Sequence, residues 1–312
     1  MTPVLEVRDL RKVFGDLVAV DGISFAVGEG EIYGFLGPNG AGKTTTISMI
    51  CGLLKPTEGE VLVQGLSVAD DPRAVKRRMG VVPQEVALYE ELSARANLEF
   101  WGGIFDLRGK EMKDRVAELL DQVGLDERAS EPVKNFSGGM KRRLNLAMGL
   151  VHDPQLILLD EPTVGIDPQA RHKILEIVKQ IVAKGRTVLY TTHYLEEAED
   201  LCDRLAIIDN GCILAEGSVD ELKAQLGEGS LLTVQGGFGA ADLTTAASGV
   251  SGLQPVEIAD GRGMLLVGRD GPGVSHALEG LFQAGLTFDD ISIKEPNLED
   301  LFLRLTGREL RD

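Results

Sequence analysis

Apolar residues recur along this chain with two spacings, and stretches of one alternate with stretches of the other. Val4 to Val7 and Ser24 to Val27 are short alternating runs, with a turn-rich stretch, Phe14-Gly15-Asp16, between them. Glu31-Ile-Tyr-Gly-Phe-Leu36 and Leu156 to Leu159 are compact apolar runs that predict buried strands. Thr57 to Glu60 predicts a turn into a strand at Val61-Leu-Val63. Thr187 to Thr192 predicts another strand, and Ala206 to Asp209, Asn210-Gly211 and Ile213 to Ala215 predict a hairpin around a favoured turn dipeptide. Helical spacing fills the intervals. It runs over Thr45 to Leu54, briefly after Pro72, and from Leu92 to Arg128, where Met112, Val116, Leu119, Leu120 and Val123 share a face and Gly124 ends the helix. Leu144, Ala147, Met148 and Val151 form the stripe of a helix opened by Ser137-Gly138-Gly139. Ile174, Ile177, Val178 and Ile181 mark one that ends at Gly185. Strands alternating with helices imply an α/β fold with a mostly parallel sheet covered on both faces, and the N-terminal part adds an antiparallel sheet.

Near Gly227-Glu228-Gly229-Ser230 the composition shifts, which places a boundary between residues 1–227 and 228–312. Beyond it the order is strand (Leu231 to Gln235), helix (Ala240 to Gly249), strand (Val256 to Ala259), strand (Met264 to Val267), helix (Ser275 to Gly285) and strand (Asp290 to Lys294). That βαββαβ order predicts a small α+β ferredoxin-like domain. A last helix carries Leu298, Leu301, Phe302 and Leu305 at helical spacing. Its stripe either covers the open face of that sheet or contacts a second copy or the first domain as a brace or regulator.

Composition narrows the partners. The chain has 312 residues, 43% hydrophobic and 26% charged, with a formal net charge of −17. Such an acidic balance disfavours nucleic acid and direct docking on anionic lipid, both of which need clustered Lys and Arg. Cys51, Cys202 and Cys212 are odd in number and form no CxxC pair, as expected of small buried residues in a reducing compartment. No apolar run approaches 18 residues and no N-terminal segment resembles a signal peptide, so membrane insertion is not expected.

The strongest chemical signal is Gly37-Pro-Asn-Gly-Ala-Gly-Lys-Thr-Thr45, a phosphate-loop pattern between a predicted strand and a predicted helix. Gly37, Gly40 and Gly42 let the backbone curl so that N–H groups, those of Asn39, Ala41 and Thr45 among them, surround phosphate oxygens at a helix N-terminus. Lys43 brings a compact cation to the β- and γ-phosphates, and the Thr44 hydroxyl is a hard ligand for Mg²⁺. These residues predict binding of a nucleoside triphosphate. Asp160 and Glu161 close a buried strand, where one carboxylate suits Mg²⁺ and the next suits water activation. Ser137 opens a helix as an N-cap. With Gly138 and Gly139 it also offers a second anion site, and Arg142 and Arg143 either serve that site or form a solvated face.

The phosphate loop, Gln84, Phe-Ser-Gly-Gly-Met at 136–140, Leu156 to Glu161, Gly165-Ile-Asp167 and His193 stand in the order and spacing of ABC-type ATPases. The resemblance covers about residues 4 to 222. It implies a P-loop fold with a mixed sheet core, an antiparallel β subdomain and a helical subdomain at about 85–150. The signature departs from LSGGQ at Phe136 and Met140 but keeps Ser-Gly-Gly. By this resemblance Phe14 stacks on adenine, Gln84 joins Mg²⁺ and the attacking water to a membrane partner, and His193 holds the γ-phosphate. Ser137 completes the ATP site of an opposite protomer, which implies a homodimer. Glu295 to Arg308 resembles the tail of the daunorubicin-resistance type of exporter ATPase. The resemblance therefore implies an ATP- and Mg²⁺-dependent subunit that powers export of a drug, lipid or other amphiphile. It sits at the cytoplasmic face of the membrane under separately encoded permease subunits. A non-transport ABC ATPase acting on ribosomes or DNA is the alternative.

Overall fold

The computed structural model describes residues 3–226, 229–268 and 273–307. Gly227, Glu228 and Arg308, which mark the compositional boundary and the tail match, lie outside them. Along the chain, β1 (Leu5–Phe14) and β2 (Leu17–Val27) form a hairpin, β3 (Ile32–Leu36) enters the glycine loop, and α1 (Lys43–Ile50) leaves it. Next come β4 (Glu58–Val63), β5 (Leu66–Ser67), α2 (Pro72–Arg78), β6 (Met79–Val82), α3 (Ala94–Ile104), α4 (Gly109–Gln122) and α5 (Gly138–Gly149). They are followed by β7 (Leu156–Asp160), α6 (Pro168–Ala183), β8 (Thr187–Thr192), α7 (Leu195–Leu201), β9 (Arg204–Asp209) and β10 (Cys212–Ser218).

Two strands are longer than their alternation predicts. β1 and β2 pair from Leu5↔Val27 to Phe14↔Leu17, so the turn-rich stretch shrinks to Gly15-Asp16. Shifts of register after Val7 and Leu10, with Asp9 at a φ of 45°, break the side-chain alternation while the ladder continues. The long helical stretch after Leu92 is two helices. Asp106 and Gly109, with φ of 68° and 58°, turn the chain between α3 and α4.

The antiparallel sheet has the order β2-β1-β4-β5, and the larger sheet has the order β10-β9-β3-β8-β7-β6. Its five strands β9, β3, β8, β7 and β6 are parallel. β3, β7 and β8 are buried at every position, as parallel strands with both faces covered must be. Phe25, Tyr33 and Phe35 cluster where the two sheets meet, Phe25 stacking on Tyr33 at 5.4 Å between centroids. Each buried aromatic contributes about 1.5–3 kcal/mol of burial. Because β3, β8, β7 and β6 are parallel neighbours, the residues following each one emerge at the same edge. These are Gly37 after β3, His193 after β8, Asp160 and Glu161 at the end of β7, and Gln84 beyond β6.

The chain divides into two compact units, the first closing at Glu216 and the second beginning at Gly217. The division lies ahead of Gly227 because α8 (Val219–Ala224) packs with the last helix of the second unit. That unit continues with β11 (Gly229–Gln235), α9 (Ala240–Ser248), β12 (Leu253–Ala259), β13 (Arg262–Gly268), α10 (Gly273–Gln283), β14 (Asp290–Lys294) and α11 (Leu298–Thr306). Its sheet has the order β12-β13-β11-β14 with every neighbouring pair antiparallel, the ferredoxin-like arrangement. Leu232, Val234 and Leu265 face α9 and α10 on one side, through Leu243, Ala247 and Leu281. On the other side Leu231 and Met264 pack against Leu303 of α11. Leu303 lies outside the predicted stripe of Leu298, Leu301, Phe302 and Leu305, and α11 also packs with α8.

Candidate active site

The glycine loop is shaped by close approaches that exclude side chains. A Cβ on Gly37 would lie 2.1 Å from the Ile208 carbonyl oxygen, and one on Gly42, at a φ of 104°, would lie 2.6 Å from the Ala19 carbonyl oxygen. Gly40 has a φ of 83° with open space around it, so it is needed for its conformation alone. The Asn210-Gly211 turn of the β9–β10 hairpin supports the loop from behind, the Gly211 N–H donating to the Ala41 carbonyl at 3.0 Å. A cleft of about 490 Å³ opens at the loop. Phe14, Val18, Asn39, Gly40, Gly42, Thr44, Thr45, Gln84 and Glu161 are among the residues that line it. Phe14 is 46% exposed there, with Lys12 Nζ 4.9 Å from its ring centroid, and is not a core aromatic.

Lys43 is folded inward. Its Nζ donates to the Gly37 carbonyl at 2.6 Å and the Pro38 carbonyl at 3.0 Å, and lies 3.0 Å from Glu161 Oε1. Glu161 is the centre of the cluster. Its Oε2 accepts from Gln84 Nε2 at 3.3 Å, and His193 Nδ1 faces the same oxygen at 3.3 Å, at ion-pair distance without an aligned hydrogen bond. The Glu161 backbone has a φ of 44°, a strained conformation for a non-glycine residue, and its N–H donates to Thr191 Oγ1 at 3.0 Å. Thr191 also donates to Asp160 Oδ1 at 2.8 Å. Burial pushes the Asp160 carboxyl above its ordinary range, and hydrogen bonds from Thr191 and Thr44 pull it back.

Ser137, Gly138 and Gly139 are not among the residues lining this cleft. Ser137 is the N-cap of α5, accepting from the Met140 N–H at 3.3 Å, and it is exposed together with Gly138. Gly139 is buried, and a Cβ there would lie 2.6 Å from the Ala170 Cβ, so this glycine also lets α5 approach α6. Arg142 and Arg143 depart from the expectation of a solvated face. Arg142 is buried and donates to the Gln84 carbonyl and, at 3.1 Å, to the Val164 carbonyl. Arg143 donates to the Val123 and Gly124 carbonyls. Both tie loops to α5 through backbone carbonyls, so neither is simply a solvated face. Thr191 escaped the sequence reading. Its signal was slight, a threonine repeat immediately before His193.

A glycine loop at the carboxyl edge of a parallel sheet, with a buried lysine facing a strand-end acidic pair, defines a P-loop nucleoside triphosphatase. The family model for "ABC transporter" matches residues 20–164. The linearmycin resistance ATP-binding protein LnrL of Bacillus subtilis is 44% identical, covering 99% of this chain and 100% of that protein. The daunorubicin resistance ATP-binding protein DrrA3 of Streptomyces coeruleorubidus is 38% identical, covering 98% of this chain and 97% of that one. A solved ATP-binding subunit of an ABC transporter matches with a TM-score of 0.66 at 35% identity, over 72% of this chain and 93% of its own. The chain belongs to the ATP-binding subunits of ABC transporters, and it is an ATPase. Among the described residues, no helix is long and apolar enough to cross a membrane.

Proposed function

We propose that this chain is the ATP-hydrolysing subunit of an exporter, working as a homodimer beneath separately encoded membrane subunits at the cytoplasmic face. The observation that carries the catalytic part is the convergence of buried Lys43 and His193, together with exposed Gln84, on buried Glu161. Lys43 and the loop N–H groups of Asn39 to Thr45 bind the phosphates, and Phe14, exposed at the mouth of the cleft, stacks on the base. Glu161 accepts the proton of the attacking water, Gln84 orients that water, and His193 holds the γ-phosphate. The Thr44 hydroxyl, the Asp160 carboxylate and the Gln84 side-chain oxygen are hard donors at one sheet edge and fit Mg²⁺. Bound there, Mg²⁺ neutralises charge on the β- and γ-phosphate oxygens.

The Ser137-Gly138-Gly139 end of α5, with Ser137 and Gly138 exposed, completes the site of the other protomer, so ATP closes the dimer and hydrolysis reopens it. The C-terminal domain, near residues 228–312, is an accessory and regulatory domain. Near-full-length relatives named for drug resistance favour export of a drug, lipid or similar amphiphile over action on ribosomes or DNA. The test is reconstitution with its membrane subunits in inverted vesicles. ATP-dependent uptake of an amphiphilic drug is expected, and ATP hydrolysis that no membrane subunit alters would contradict the reading.

A further inference from the structure

Behind His193 lies a further buried acidic residue that the chemistry above does not use. Glu197, on the first turn of α7, is 2% exposed. Its Oε2 accepts from Tyr190 Oη and from Thr192 Oγ1, both at 2.8 Å. Thr192 Oγ1 in turn accepts the Tyr194 N–H at 2.9 Å. The other oxygen, Oε1, faces Arg171 Nε of α6 at 3.5 Å, and neither atom has an aligned hydrogen bond elsewhere. The Arg171 guanidinium lies 4.1 Å from the centroid of Tyr194, whose ring is 4.2 Å from that of His193. Tyr190 Oη also stands 3.4 Å from Thr163 Oγ1, two residues beyond Glu161.

Desolvating a carboxylate is costly unless its hydrogen bonds are replaced. Here the replacements come from Tyr190 Oη and from the hydroxyl of Thr192, the residue before His193, while Arg171 faces the second oxygen. We propose that Glu197 is a positioning residue for ATP hydrolysis, its buried carboxylate fixing the Thr192-His193-Tyr194 turn so that His193 faces Glu161. The proposal rests on the role given to His193 above. Arg171 makes the arrangement more than a local turn. It sits on the first turns of α6, whose N-cap Asp167 belongs to the loop that leaves β7, so Glu197 ties the loops after β7 and β8 to one another.

The test is a double-variant cycle on the full chain, with kcat and KM for ATP measured under steady-state and single-turnover conditions. Glu197→Ala is expected to lower kcat roughly 10- to 100-fold, the scale of a misplaced catalytic group, with KM and fluorescent-ATP affinity unchanged. Glu197→Gln, which can still accept from Tyr190 and Thr192, is expected to recover most of that loss. In a His193→Ala background Glu197→Ala should add less than about threefold, because both act through one group. Thr192→Val, nearly isosteric, carries the same cycle should Glu197→Ala not fold. Losses that multiply in the His193→Ala background, or a fall in ATP affinity equal to the fall in kcat, would overturn the proposal. Near wild-type hydrolysis by His193→Ala alone would instead refute the role of His193 on which it rests.

Discussion

Lys43 Nζ lies 3.0 Å from Glu161 Oε1, and the two side chains are only 4% and 5% exposed. The cation proposed to bind phosphate and the carboxylate proposed to activate water therefore hold one another, so that an arriving triphosphate would compete with Glu161 for the ammonium. Lys43→Ala is expected to abolish ATP binding and to cost roughly 1–3 kcal/mol of stability, because it strands a buried carboxylate. Adding Glu161→Gln should restore most of the stability and none of the affinity. Thermal melts and titration with a fluorescent ATP analogue check both. Unchanged affinity in Lys43→Ala would count against this account of the loop.

Gly37 and Gly40 separate packing from conformation. Gly37→Ala drives a methyl group toward a backbone carbonyl, that of Ile208, which cannot rotate away. A loss of about 1–3 kcal/mol or more is expected, with ATP binding impaired as β9 is displaced. Gly40→Ala meets open space and bears only the strain of its positive φ, about 1–2 kcal/mol. Denaturant melts should rank Gly37→Ala as the more damaging. The reverse order would show that conformation, and not the contact with β9, governs the loop.

Ser137 is exposed and does not line its own chain's cleft, so under the proposed composite site Ser137→Arg should leave monomer ATP binding nearly intact while preventing closure of the dimer. Mixed with Lys43→Ala chains, it forms dimers with one site lacking both features and one lacking neither. ATPase activity should partly return in the mixture. No recovery, with mixed dimers demonstrated by cross-linking, would argue against a composite site.

How much of this was legible depended on whether a residue's partner was local. The phosphate loop, the Asp160-Glu161 pair and the Asn210-Gly211 turn are short-range patterns, and each stands where its spacing placed it. The βαββαβ order likewise sufficed for the second unit, because hydrophobic alternation fixes which face of each strand is inward. Arg142 and Arg143 were opaque because their partners are backbone carbonyls 19 to 58 residues away, which leave no trace in side-chain pattern. Glu197 was hidden by its neighbours. It belongs to the acidic run Leu195-Glu-Glu-Ala-Glu-Asp200, which looks solvent-facing, yet one member points inward beneath His193. β1 and β2 outran their alternation because bulges shift register without ending the ladder.

Phe302 of α11 is fully buried, and Leu301 is nearly so. Phe302→Ala is expected to destabilise the second unit by about 3–5 kcal/mol. Calorimetry should show its transition moving to lower temperature while ATP affinity is retained. A variant that loses ATP binding in the same step would show that the nucleotide site depends on this unit.

The central claim is that Glu161 activates water in a site that binds ATP without it. The most direct measurement is single-turnover hydrolysis by Glu161→Gln beside equilibrium ATP binding by the same protein. The account predicts turnover reduced by at least about 10²-fold, the usual contribution of a general base, with binding retained and an ATP-bound dimer accumulating. Hydrolysis at a near wild-type rate in that variant would contradict it.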